Sequence, residues 1–148
     1  MKSATSNAIF AATLLCAGGA SAQDAAFCKV LAKVMPLAAQ GLSALKEEKL
    51  SGKSWAARIT MPKAKACEIL VGEDDEDMHQ PSYSCTYAVA GTKNEPVMAE
   101  QLVSSVKACR PDMKRWMTSN RYYFKAPEGV IQISISSALV AFEIYRSK

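Results

Sequence analysis

Apolar residues recur at three- and four-residue intervals in two stretches of the chain, which predicts two amphipathic helices. The first is expected over residues 24–48, with a kink or break at Pro36 because proline removes a backbone hydrogen bond. The second is expected over residues 96–109, ends before Pro111, and is followed by one further turn over 112–117. The first helix carries the apolar stripe Phe27, Val30, Leu31, Val34, Ala38, Leu42 and Leu45; the second carries Met98, Leu102, Val106 and Cys109.

Alternation of apolar and polar residues predicts β-strands in the rest of the chain. The expected strands cover residues 55–60, 67–71, 83–89, 122–126, 130–136 and 139–145. Strands that arrive as hairpins, with helices between the groups, imply an α+β fold. We therefore expect two helices packed on one face of an antiparallel sheet of about five strands. The order is helix, two or three strands, helix, three strands.

The first 22 residues have the three-part layout of a secretory signal peptide. Lys2 supplies the positive charge, residues 9–17 form an apolar run too short to cross a bilayer, and Ala20-Ser21-Ala22 is a small-x-small cleavage site. We expect a cleaved signal peptide at 1–22 and a single domain at 23–148, located in the periplasm or secreted. Lipoprotein processing at Cys16 is disfavoured because the preceding Leu15 is not small.

Four of the five cysteines remain after the expected cleavage, and an even number in an oxidising compartment predicts disulfide bonds. On the predicted hairpin, Cys67 and Cys85 lie near each other diagonally, which favours a bond between them. Cys28 and Cys109 lie on the apolar stripes of the two helices and form the second predicted bond. The other two connectivities remain open. Zinc binding and redox catalysis are disfavoured because the cysteines are widely spaced and form no C-x-x-C unit.

The net charge of +4 is too small to indicate a nucleic-acid partner, and export argues further against one. After the expected signal peptide, no apolar run approaches the ~18 residues of a membrane-spanning helix, so we expect no stable membrane insertion. Nothing in the sequence indicates a cofactor.

Five consecutive carboxylates stand out in this otherwise basic chain, at the tip of the predicted hairpin: Glu73, Asp74, Asp75, Glu76 and Asp77. One interpretation is a solvated loop that keeps the hairpin soluble. Calcium binding is disfavoured because the run lacks the alternating ligands and internal glycine of a calcium loop. The remaining interpretation is a partner-binding finger, since concentrated charge on a protruding loop speeds association with a basic surface.

A basic and aromatic segment follows the second helix, and its candidate partner-binding residues are Arg115, Trp116, Arg121 and Tyr123. Such residues anchor protein interfaces, although aromatic residues here could equally belong to the core. His79 is the single histidine, and no nucleophile motif lies beside it. Methionine and histidine could bind copper, but methionine on helices is usually core filler. The sequence therefore indicates neither a catalytic set nor a metal site.

These observations favour a small exported binding protein of the bacterial envelope, such as an inhibitor or immunity-type protein that acts on another protein. The alternative is an accessory or assembly component of an envelope or secretion complex, which would use an exposed sheet edge and the basic and aromatic segment. A metal-carrying or enzymatic protein that uses His79 is the third hypothesis. The oligomeric state stays open.

Overall fold

The computed structural model describes residues 22–72, 80–89 and 94–147. Two α-helices lie within these residues, α1 (Ala22–Ala39) and α2 (Glu95–Cys109), and a short 3-10 helix covers Ser43–Leu45. The strands are β1 (Lys46–Ser51), β2 (Ser54–Ala57), β3 (Ala66–Leu70), β4 (Ser82–Ala88), β5 (Lys114–Thr118), β6 (Arg121–Ala126), β7 (Gly129–Ser136) and β8 (Leu139–Tyr145). Neither helix is both long and apolar enough to span a bilayer, within the part of the chain that the structure describes.

All eight strands form one antiparallel sheet in the order β1-β2-β3-β4-β8-β7-β6-β5. Each half of the chain is thus a helix followed by a four-stranded meander, and the two meanders meet where β4 pairs with β8. The α+β class is confirmed, as is antiparallel pairing. The expected count of about five strands is wrong, because the sheet has eight.

Both helices pack on the same face of the sheet, here called the covered face. Its residues alternate along the strands with residues of the opposite face, and its centre is almost fully buried. Phe27 of α1 meets Phe142 of β8 edge-on, with ring centroids 5.6 Å apart. The central strands contribute Ile69, Tyr83, Cys85, Phe124, Ile131, Ile133, Phe142 and Ile144.

The two predicted disulfide bonds are both present. Cys28–Cys109 joins α1 to α2, and the Ser105 hydroxyl donates a hydrogen bond of 2.8 Å to Asp24 beside it. Cys67–Cys85 joins β3 to β4. These two cysteines are paired directly opposite each other, as Ile69 and Tyr83 are, so the diagonal placement expected from the sequence is wrong.

Helix α1 ends nine residues before the predicted end. Gly41 has φ +84°, and two hydrogen bonds close the helix: the Leu42 amide donates to Leu37 and the Gly41 amide donates to Ala38. This is the usual closure by a glycine in the left-handed conformation. Leu42 and Leu45 are nevertheless buried, so the apolar spacing continues past the end of the helix and misled the prediction.

The two strands missing from the prediction, β1 and β5, form the two edges of the sheet. Their residues are exposed almost throughout, so neither alternates between buried and exposed positions. The turn predicted over 112–117 is wrong, since β5 occupies most of that segment. Four of the six residues of β1 are charged, which is a common protection of a sheet edge against pairing with other chains.

Candidate functional site

The face of the sheet opposite the helices, here called the open face, carries no packed element among residues 22–72, 80–89 and 94–147. The strand register aligns its residues in rows that cross the sheet. One row, here called the outer row, is Leu70, Ser82, Tyr145, Val130, Lys125 and Lys114. The next, here called the central row, is Glu68, Ser84, Glu143, Gln132, Tyr123 and Trp116.

A groove of about 720 Å³ lies on the open face. Leu70 of β3 and Trp116 of β5 both line it, although five inter-strand gaps separate these strands. In a flat sheet these residues would lie about 24 Å apart. The groove therefore extends across six strands of the open face, from β3 to β5. Its floor includes Val130, Gln132, Glu143 and Tyr145.

Trp116 and Tyr123 form a stacked pair on this face. They are directly opposite on β5 and β6, their ring centroids are 5.0 Å apart and their planes differ by 7°. Trp116 is 44% exposed and borders the groove, so it presents apolar surface to the solvent. Arg121 lies on the same face, two positions from Tyr123 along β6. Large aromatic side chains with arginine beside them are typical of the centres of protein interfaces.

Glu143 lies at the centre of the open face, in the central row. Gln132 Nε2 donates a hydrogen bond of 2.9 Å to Glu143 Oε2, and the Ser84 side chain is also a hydrogen-bond partner. Burial raises the pKa of the Glu143 carboxyl, while the positive charge of Arg121 and the bond to Ser84 oppose the rise. Glu143 is therefore held in place by its neighbours, and its oxygens are already engaged in hydrogen bonds.

Lys125 and Arg146 are exposed cations that line the same groove. Neither forms an ion pair with a carboxylate among the described residues. The described lining of the groove therefore combines apolar and aromatic surface with polar and charged side chains. Concave sites of this composition are typical of ligand-binding surfaces.

The structure brings three of the predicted partner-binding residues together and separates the fourth. Trp116, Arg121 and Tyr123 share the open face. Arg115 lies on the opposite face, with its guanidinium 5.5 Å from the ring centroid of Tyr122, because successive residues of a strand point to opposite sides. Arg115 therefore does not belong to this surface. Glu73, Asp74, Asp75, Glu76 and Asp77 lie outside the described residues, as does His79.

Sequence reasoning did not select several residues of the groove, notably Gln132, Glu143, Tyr145 and Arg146. A signal was present, since Gln132 and Glu143 interrupt apolar strands with polar groups that can reach each other only across two paired strands. The register of the β7–β8 hairpin, which places Gln132 opposite Glu143, was not assigned from the sequence. Within the residues that the structure describes, no three histidine, cysteine or acidic side chains cluster as a metal site would require.

No family model, curated protein or solved structure was found to match this chain.

Proposed function

We propose that this chain is an exported binding protein of the bacterial envelope, and that its open face holds another protein in the manner of an inhibitor or immunity-type protein. The observation that carries the proposal is the exposed Trp116–Tyr123 stack at the rim of a concave groove. Exposed tryptophan is unfavourable in water, and tryptophan, tyrosine and arginine supply most of the binding energy in protein interfaces.

The dimensions of the open face also support a protein partner. Eight strands span roughly 34 Å across the sheet, and the strands, which are four to eight residues long, average roughly 20 Å in length. The resulting surface of roughly 700 Å² is close to the ~800 Å² that each partner buries in a standard interface.

Rigidity favours binding as well. One disulfide bond ties the helices together behind the sheet, and the other ties β3 to β4. A surface that is ordered before binding loses less conformational entropy when the partner arrives. The two disulfide bonds also support the location in an oxidising compartment that the N-terminal sequence suggests.

A second candidate function is assembly through a sheet edge, as in an accessory component of an envelope complex. All five residues of β5 are exposed, and Met117 on this strand is 61% exposed, which supports the idea. The charged residues of β1, together with Lys114 and Arg115 at the start of β5, count against strand addition. We therefore place the open face first.

The proposal can be tested by capturing partners from an envelope extract on immobilised protein of residues 23–148, followed by mass spectrometry. The W116S/Y123S variant should lose the captured partner. The L50S/V97S variant is the matched control, because it removes two side chains that are 51% and 55% exposed on other surfaces. Met117→Glu tests the edge, since a new charge there would block an added strand.

Capture that survives W116S/Y123S at the level of the wild type would contradict the proposal. Loss in Met117→Glu alone would favour assembly through the edge. Thermal unfolding of each variant verifies that loss of capture does not reflect loss of folding.

A further inference from the structure

We infer that this protein is a substrate of a thiol–disulfide isomerase, because its disulfide bonds join cysteines that are not all consecutive along the chain. The cysteines of residues 23–148 are, in order, Cys28, Cys67, Cys85 and Cys109. The native bonds are Cys28–Cys109 and Cys67–Cys85, so one bond lies inside the loop that the other closes. The need for an isomerase is independent of the partner that the open face binds.

The native pairing is not the one that an unfolded chain closes most readily. The probability that two residues of a flexible chain meet falls with about the −3/2 power of their separation. Cys67 and Cys85 are 18 residues apart and Cys85 and Cys109 are 24 apart, so the native closure is favoured by only about 1.5-fold. Cys28 and Cys109, with a separation of 81, form the least probable pair of all. Over all six pairs, roughly half of the chains close a first bond that commits them to a non-native pairing.

The order of synthesis favours the same error. The N-terminal part of a chain emerges first, so in an exported chain Cys28 and Cys67 reach the oxidising compartment before Cys85 and Cys109 do. The expected product has the bonds Cys28–Cys67 and Cys85–Cys109, and is here called the consecutive isomer.

The positions of the cysteines in the fold explain why a mispaired chain stays open to exchange. Cys67 and Cys85 are directly opposite on β3 and β4, and they are 5% and 0% exposed in the core. Either non-native pairing would bond each of them to a helix cysteine instead, so we expect a mispaired chain to be unable to complete the sheet. Its bonds then remain accessible to an attacking thiolate, whereas the native Cys67–Cys85 bond is buried. Exchange therefore stops once the native pairs have formed.

The exchange requires no net oxidant or reductant. In the consecutive isomer, the isomerase thiolate attacks Cys109, forms a mixed disulfide with it and releases the Cys85 thiolate. Cys85 then attacks Cys67, which forms one native bond and releases the Cys28 thiolate. Cys28 attacks Cys109 in the mixed disulfide, which forms the second native bond and releases the isomerase thiolate. Two disulfide bonds are broken and two are formed in the protein.

The experiment oxidises reduced, unfolded protein of residues 23–148 with a protein disulfide oxidase during dilution from denaturant, with and without a catalytic amount of reduced disulfide isomerase. Peptide mapping after alkylation measures the yield of each pairing. We expect roughly half of the chains to pair natively without the isomerase, and a gain of about 2-fold with it. The consecutive isomer should be the more abundant of the two non-native pairings, because its loops are shorter.

C28A/C109A and C67A/C85A are the matched controls, because each retains two cysteines and can form a single intramolecular bond. The isomerase should leave the yield of that bond unchanged in both. The measured quantity is a covalent bond, so a variant that is too unstable to fold still serves as a control.

Complete native pairing without the isomerase would overturn the inference, because the chain would then select its own partners before oxidation. An equal gain in yield for the wild type and the two controls would also overturn it, since the isomerase would then act by a route other than exchange between pairs.

Discussion

The two halves of this protein share one architecture but differ on the open face. In each half a helix and a four-stranded meander bury large apolar side chains on the covered face. On the open face, strands β2 to β4 of the first half present Glu68, Leu70 and a set of small residues. These small residues are Ser54, Ala56, Ala66, Ser82, Ser84 and Thr86. The second half presents Trp116, Arg121, Tyr123, Lys125 and Gln132.

The difference shows which positions the fold constrains. Burial on the covered face requires apolar residues in both halves, so the covered faces are alike in chemistry. The open face is under no such requirement, and in the first half it carries mainly small residues. We therefore expect the aromatic and basic residues of the second half to contribute little to folding, which is why we propose a binding role for them.

The largest expected effect concerns the bond between the halves. Removing Cys28–Cys109 in a Cys28→Ala/Cys109→Ala variant should lower the free energy of unfolding by up to about 4.5 kcal/mol, because this bond closes the longer loop, with a sequence separation of 81. Removing Cys67–Cys85, with a separation of 18, should cost up to about 3 kcal/mol. Urea unfolding measures both values. Equal midpoints for the wild type with and without reductant would contradict this expectation.

The second expected effect separates the two faces of one strand. Phe142 is fully buried against Phe27, so Phe142→Ala should lower the free energy of unfolding by about 3–5 kcal/mol. Ala141→Ser, the adjacent residue on the open face, should change it by less than about 0.5 kcal/mol. Trp116→Ser should cost about 1 kcal/mol through the lost stack on Tyr123. A loss in Trp116→Ser as large as that in Phe142→Ala would mean that the open face also stabilises the fold.

The smallest expected effect is the pH dependence due to Glu143. Its pKa is raised above the usual 4.5 in the folded state, chiefly by burial, so the folded protein binds more protons than the unfolded chain. The contribution of Glu143 to the free energy of unfolding therefore falls as the pH rises from about 4.5 through the raised pKa. Glu143→Gln cannot ionise, so its melting temperature relative to the wild type should increase with pH over that interval. Thermal unfolding between pH 4 and pH 8 measures the difference. Glu47→Gln, at the exposed edge strand β1, is the matched control.

Much of the fold could be predicted from the periodicity of apolar residues. The elements that this periodicity missed were missed for physical reasons. The half-buried strands β3, β4, β7 and β8 alternate clearly because one face of each is buried. The edge strands lack a buried face and so lack the pattern. The end of α1 was missed because Leu42 and Leu45 are buried by the 3-10 segment just as a continuing helix would bury them.

The candidate site was predictable only in part. Trp116, Arg121 and Tyr123 were identifiable because aromatic and basic residues cluster in one segment. Arg115 lies on the covered face, which could not be predicted because its side of the sheet depends on the phase of β5, a strand that the sequence did not reveal. Glu143 and Gln132 are distant in the sequence from this segment, and they join it through the pairing of β6, β7 and β8.

By itself, the sequence determined the α+β class and most of the elements, and it favoured the observed pairing of the four described cysteines, because burial periodicity is recorded in neighbouring residues. Only the tertiary structure decided that eight strands form one sheet, and which residues of six strands share its open face. That decision depends on strand order and register, which are set by contacts between residues far apart in the chain and leave no local pattern at any one of them.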